Sequence, residues 1–202
     1  MLNFVKEVSD RNNYQFNVLN LGGGFGIKYL DSDDEIDIVK MLNVINKTID
    51  KYLKENNLDI KEVMIEPGRS IIGEAGTTLY TVNGIKEITD IRTYCMSDGG
   101  MFDNPRYALY ESKYTALLAN RANEESTEIV TISGKCCESG DILQENVLLP
   151  ETIQRNDVIA VLCTGAYNYS MASNYNRIVR PAVVMISGQD ENIVVQREKL
   201  ED

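Results

Sequence analysis

The 202-residue chain has no histidine, no tryptophan and only four prolines. Without histidine the commonest general base and metal ligand is missing, so any acid–base chemistry must fall to Cys, Asp, Glu, Lys or Tyr. The four cysteines, Cys95, Cys136, Cys137 and Cys163, show no CxxC spacing, and two of them are neighbours. That pattern supports neither a zinc site nor a disulfide framework and points to reduced thiols. Positive charge is scarce: 20 Lys and Arg face 31 Asp and Glu, a net charge of -11, and the basic residues are scattered. A nucleic-acid backbone would be repelled, so nucleic acid is not an expected partner. No apolar run approaches the ~20 residues that cross a bilayer, and "MLNFVKEVSDRNN" lacks the pattern of a leader. The expectation is a cytoplasmic protein with no membrane partner. What is present, 43% hydrophobic and 25% charged residues, is the composition of an ordinary folded chain.

In "YQFNVLNLGGGFG" a short apolar strand, Phe16 to Leu21, runs into a glycine-rich loop, and a helix should follow. Ser32 and Glu35 have the spacing of a capping box, and Ile38, Leu42, Ile45, Ile49 and Tyr52 repeat as an apolar stripe along one helix face. "EVMIEPGRS" supplies a second strand, Val63 to Ile65, stopped by Pro67-Gly68, giving the form of a βαβ unit with parallel strands. From about Thr77 the pattern changes. "TLYTVNGIKEI", "RTYCMSD", "TEIVTISG", "DVIAVLCTGAY", "RIVRPAVVMISG" and "NIVVQREKL" are β-branched runs separated by turn residues. Asn156-Asp157 and Ser187-Gly188 read as turns, "ANEES" as a polar loop, and "YALYESKYTALLANR" has room for a helical turn or two. The fold class is therefore α/β followed by all-β, with a boundary near residues 75 to 80.

Five places could carry chemistry. Gly22-Gly23-Gly24 follows a strand, so its backbone amides could cradle a phosphate, though the spacing is not GxGxxG and a flexible turn is an equal reading. "EPGR", Glu66 to Arg69, leaves the C-terminal end of the next strand beside it and offers a carboxylate and a guanidinium, or else a Pro-Gly turn with a solvated arginine. Arg106 and Tyr110 share a face if their segment is helical, suited to an anion or simply a surface arginine beside a half-buried tyrosine. In "SGKCCESGD" a thiol stands beside Glu138 and Asp141. It is either a packing residue or an exposed general acid with a carboxylate nearby for a cation. "TGAYNYSMASNYN" is rich in Tyr and Asn, which hold polar ligands and also furnish ordinary β-domain loops.

Taken in order, "NLGGGFG", "IEPGRS", "SDGGM", "NPRYALY", "KCCESGD" and "TGAYNYSMASNYNR" resemble the C-terminal half of the ornithine, diaminopimelate and arginine decarboxylase family. "CES" with "SMASNYN" looks like its diaminopimelate branch, whereas the ornithine branch typically shows "CDG". The resemblance implies the last strands and helices of a (β/α)8 barrel over residues 1–78, about three strands of it, and a C-terminal β-barrel or sandwich domain over 79–202. It implies pyridoxal 5'-phosphate as cofactor, its phosphate held by Gly22, Gly23, Gly24 and the backbone of Gly68 and Arg69. Glu66 would pair with the ring nitrogen. Arg69 and Arg106, with Tyr110, would grip the retained carboxylate of meso-diaminopimelate, and Glu138 its distal ammonium. Tyr167 would touch both cofactor and substrate. Cys137 would return a proton to the carbon that loses CO2, across the interface of a homodimer with shared active sites, and L-lysine would be the product. Cys136 would be packing, because a strand turns neighbouring side chains to opposite faces.

The resemblance also implies, nearer the N-terminus, a lysine that carries the cofactor and a histidine against its ring. Neither motif occurs here. The expectation is a C-terminal portion from a truncated or split reading frame, lacking the N-terminal half of the barrel and inactive alone. A non-catalytic homologue that pairs with an intact decarboxylase, or a decarboxylase of another diamino acid such as ornithine, are the alternatives.

Overall fold

The computed structural model describes residues 1–201, and the backbone divides into two units, residues 1–28 with 32–72 and residues 29–31 with 73 onward. The first unit begins with helix α1 (Leu2–Asn12), which has no buried residue and was not foreseen: Leu2, Val5 and Val8 form only a short, half-buried stripe. Strand β1 (Val18–Asn20), helix α2 (Ile38–Glu55) and strand β2 (Glu62–Met64) follow. The two strands pair in parallel, Leu19 opposite Val63, so the βαβ reading holds with shorter strands than expected. Helix α2 turns the predicted stripe inward: Ile49 is buried, and Ile38, Leu42, Ile45 and Tyr52 are half-buried. Its start differs from the expected capping box. The cap is Asp37, whose carboxylate accepts the Lys40 amide at 2.8 Å, while Ser32 and Glu35 lie in the preceding loop. An aspartate directly before the first helical turn satisfies an otherwise orphaned N–H and suits the positive end of the helix dipole. A single turn, α3 (Arg69–Ile72), closes the unit.

The second unit holds strands β3 (Thr78–Ile88) and β4 (Arg92–Ser97), helix α4 (Arg106–Tyr110), strands β5 (Ala116–Leu118), β6 (Glu128–Ser133), β7 (Ile142–Leu149) and β8 (Val158–Val161), helix α5 (Asn168–Met171), and the hairpin of β9 (Val183–Ser187) and β10 (Asp190–Val195). Six of the strands form one mixed sheet in the order β5-β8-β3-β4-β6-β7, in which β4 and β6 are parallel and the other neighbours antiparallel. Alternate residues point inward and build one core from Tyr80, Val82, Cys95, Leu118, Val130, Ile132, Leu149 and Ile159, with Tyr114 packed edge-to-face on Tyr29. The sheet is nearly closed. Gln144 of β7 donates to the Tyr114 carbonyl (2.9 Å) and accepts the Tyr114 amide (2.7 Å), tying one edge strand to the segment that leads into the other.

Strand β7 was not foreseen. "ILQENVLL" breaks the alternation, with Leu143 and Gln144 both buried and Asn146 in the left-handed region at φ 54°, where the register with β6 shifts. The remaining predicted runs appear as strands, and Asn156 (φ 72°) and Gly188 (φ 63°) make the expected turns. Among the described residues, no helix is long and apolar enough to cross a membrane, and no cluster of His, Cys, Asp or Glu is arranged to hold a metal.

Candidate functional site

In the first unit the parallel pairing of β1 and β2 brings the glycine loop and the EPGR loop side by side at the strands' C-terminal ends. The Leu21 amide donates to the Met64 carbonyl (2.9 Å) and the Glu66 amide to the Gly22 carbonyl (2.7 Å). Asn20 organises both loops: its Oδ1 accepts the Gly22 amide (2.8 Å), and its Nδ2 donates to Glu66 Oε1 (2.6 Å). An asparagine that bonds an amide two residues on is a local turn signal, one that reading the glycines alone overlooks. Gly23 has no room for a side chain, since a Cβ would stand 2.1 Å from the Glu66 carbonyl oxygen. Gly22 (φ 71°) and Gly24 (φ 88°) adopt left-handed backbone. The result is a rim of bare backbone, with Gly23, Gly24, Glu66 and Gly68 exposed and Arg69 opening α3. Unhindered amides suit phosphate oxygens, and an oriented carboxylate suits a protonated ring nitrogen, so these residues fit pyridoxal phosphate.

In the second unit α4 carries Arg106 and Tyr110 on one face, as their spacing predicts. The burial reverses the surface-arginine reading: Arg106 is 7% exposed and Tyr110 61%. The Arg106 Nε donates to the Tyr114 hydroxyl (2.7 Å), and its guanidinium lies 5.4 Å from the Tyr110 ring and 5.7 Å from the Tyr167 ring. A cation anchored at its base and flanked by two rings is pre-oriented for an anion. Tyr167 is half exposed and itself sits at φ 73°, a conformation unusual for an aromatic residue. Tyr114, which fixes the arginine, was missed because "ESKYTALL" gives no hint that its hydroxyl turns toward α4.

The segment carrying Cys136 and Cys137 is not a strand. It is a bent loop between β6 and β7, so strand alternation is not what separates the two thiols. Their amides go to different partners, Cys136 N–H to Asp141 Oδ2 (2.6 Å) and Cys137 N–H to Asn176 Oδ1 (2.6 Å). Cys136 is half-buried, and desolvation together with the Asp141 charge pushes its thiol up to about 11. Cys137 is exposed. Next to it, Glu138 accepts the Gly140 amide (3.1 Å) and the Ser139 hydroxyl (3.3 Å), with the Tyr175 hydroxyl at 3.5 Å. These donors hold the Glu138 carboxyl below its ordinary range, so it stays charged. An exposed thiol adjoins a fixed negative charge.

A sheet domain with these loops defines a class. The family model described as "Pyridoxal-dependent decarboxylase, C-terminal sheet domain" matches residues 8–165, and the chain belongs to that family. Within it, the chain is 50% identical over 194 residues to diaminopimelate decarboxylase of Bacillus subtilis (strain 168) and 50% identical over 186 residues to that of Staphylococcus aureus (strain COL). These alignments cover 95% and 92% of this chain and 44% of each relative, so the chain spans less than half of either. The crystal structure of diaminopimelate decarboxylase from M. jannaschii in co-complex with L-lysine superimposes with a TM-score of 0.88 at 32% identity, covering 100% of this chain and 45% of that one.

Proposed function

We propose that this chain is the C-terminal portion of a diaminopimelate decarboxylase, which converts meso-2,6-diaminopimelate to L-lysine and carbon dioxide in a homodimer with shared active sites. The observation that carries the reading is the Cys137-Glu138 pair, a reachable thiol next to a carboxylate kept ionised. A substrate with a second amino-acid head needs a fixed charge for the distal ammonium and a separate proton donor, and that pair offers both. Pyridoxal phosphate, when bound, supplies the electron sink for the departing carboxyl group. The residues of this chain do the holding. Gly22, Gly23, Gly24 and the backbone of Gly68 and Arg69 take the phosphate, and Glu66, oriented by Asn20, keeps the ring nitrogen protonated.

Arg69 and Arg106, with Tyr110, bind the carboxylate that is retained, and Tyr167 lies against both cofactor and substrate. Glu138 takes the distal ammonium. The Cys137 thiol delivers its proton to the substrate carbon, reaching the site of the partner copy. The amine that carries the cofactor is assigned to sequence outside these 202 residues.

The test combines this chain with an N-terminal portion of the Bacillus subtilis relative, pyridoxal phosphate and meso-diaminopimelate. L-lysine and CO2 should be released, and Cys137→Ser should slow turnover by about 100-fold or more while Cys136→Ser leaves most of it. A complex that decarboxylates ornithine in preference, or one in which both serine variants lose activity equally, would overturn the assignment. The chain by itself should yield no single-site lysine adduct with pyridoxal phosphate on borohydride reduction.

A further inference from the structure

We propose that Asp141 is the positioning residue of the cysteine loop: its buried carboxylate clamps the turn so that Cys137 is presented to solvent and Cys136 is withheld. The inference rests on reading Cys137 as the proton donor, because that is what gives the exposed thiol its role. Asp141 is 4% exposed. Its Oδ1 accepts the Met101 amide at 2.6 Å and its Oδ2 the Cys136 amide at 2.6 Å, so one carboxylate joins two loops that are far apart in sequence. Its backbone completes the turn, with the carbonyl accepting from Gly134 (2.9 Å) and the amide donating to Glu138 (3.1 Å). The loops are further joined by the Lys135 amide to the Gly99 carbonyl (2.9 Å).

Two glycines make room for this clamp. A Cβ at Gly134 would stand 2.2 Å from Asp141 Oδ2, and one at Gly100 2.8 Å from it. Each oxygen therefore has a backbone donor, and the surrounding space admits no larger arrangement. A carboxylate suits the position because it is acceptor-only. An amide of the same shape would turn an NH2 group toward one of the two N–H donors. Burial is the larger cause that disfavours the Cys136 thiolate, and the Asp141 charge adds to it. With its thiol at about 11 against an ordinary 9.0, Cys136 holds about 100-fold less thiolate at neutral pH than an unperturbed cysteine. Two adjacent cysteines are thus divided by a third residue.

The test is alkylation of the 202-residue chain with iodoacetamide, each thiol followed by peptide mass spectrometry, with no cofactor or substrate present. Cys137 should react at least about tenfold faster than Cys136. In Asp141→Asn, and independently in Gly134→Ala, which keeps the charge but displaces the carboxylate, that preference should collapse toward unity. In the unaltered chain the Met101 and Cys136 amides should exchange with deuterium at least about tenfold more slowly than in an unstructured peptide. Retention of the thiol preference in folded variants of both kinds, or exchange of both amides at the unstructured rate, would overturn the proposal. None of these measurements depends on decarboxylation, so a failure here and a failure of the decarboxylase reading are separately visible.

Discussion

Asp103 shows how a single residue can tune this molecule. It is 6% exposed, accepts the Tyr80 hydroxyl (2.6 Å) and the Gly100 amide (2.8 Å), and lies near the Asp141 charge. Burial is the main cause that pushes it up from 3.8 to about 6. The folded state therefore holds a proton that the unfolded chain releases at lower pH, so the stabilising contribution is complete below 3.8 and is lost as pH rises to about 6. Asp103→Asn should remove that part of the pH dependence, at most ~3 kcal/mol, seen as a flatter urea-unfolding midpoint between pH 4 and 6. At this scale the sequence was informative about residue type and silent about environment. Arg106, Tyr110, Cys137 and Glu138 were legible as candidates, because their chemistry goes with their identity. That Arg106 is buried on Tyr114, or that Asp141 turns inward beneath Cys136 and reaches Met101, is set by side-chain hydrogen bonds within and between irregular loops, which follow no period.

Among the elements, α2 is the most sequence-determined. Its stripe was legible because a 3.6-residue period exposes and buries the same positions whatever lies opposite. Its start was misread, since Ser32 and Glu35 match the capping-box spacing but Asp37 is the residue that caps. Asp37→Ala should cost ~1 kcal/mol and accelerate amide exchange in the first turn of α2, whereas Ser32→Ala should change stability by less than ~0.5 kcal/mol. Equal effects would restore the capping box. Strand β7 failed for the opposite reason: its inward pattern is interrupted by the Asn146 bulge, and Gln144 is buried only because the Tyr114 backbone waits for its amide. A polar residue satisfied across the sheet reads as a loop residue when the partner is unseen.

For the molecule as a whole, the two units differ in what they bury. The second has a continuous core from Tyr80 to Val161, while in the first the buried apolar side chains among the described residues are Leu19, Phe25 and Ile49. There Val18, Val63, Met64 and Ile65 of the strand region are exposed by 46%, 40%, 44% and 37%. Unpaired strand edges and uncovered apolar faces open readily. Limited proteolysis should cut before residue 80 first and leave the sheet domain, and equal protection of both units would show that the first is completed by association. The sequence by itself determined the βαβ order of the first unit, most strands of the second, the glycine loop, the turns and the residue types able to do the chemistry. Period, turn propensity and side-chain chemistry act over a few residues, so they can be read along the chain. Only the tertiary structure decided that Asn20 bonds both loops at the ends of β1 and β2, that Gln144 nearly closes the sheet, and that Asp141 separates Cys136 from Cys137. Each of those rests on hydrogen bonds or burial between segments tens of residues apart or on loop geometry with no period, which no local pattern encodes.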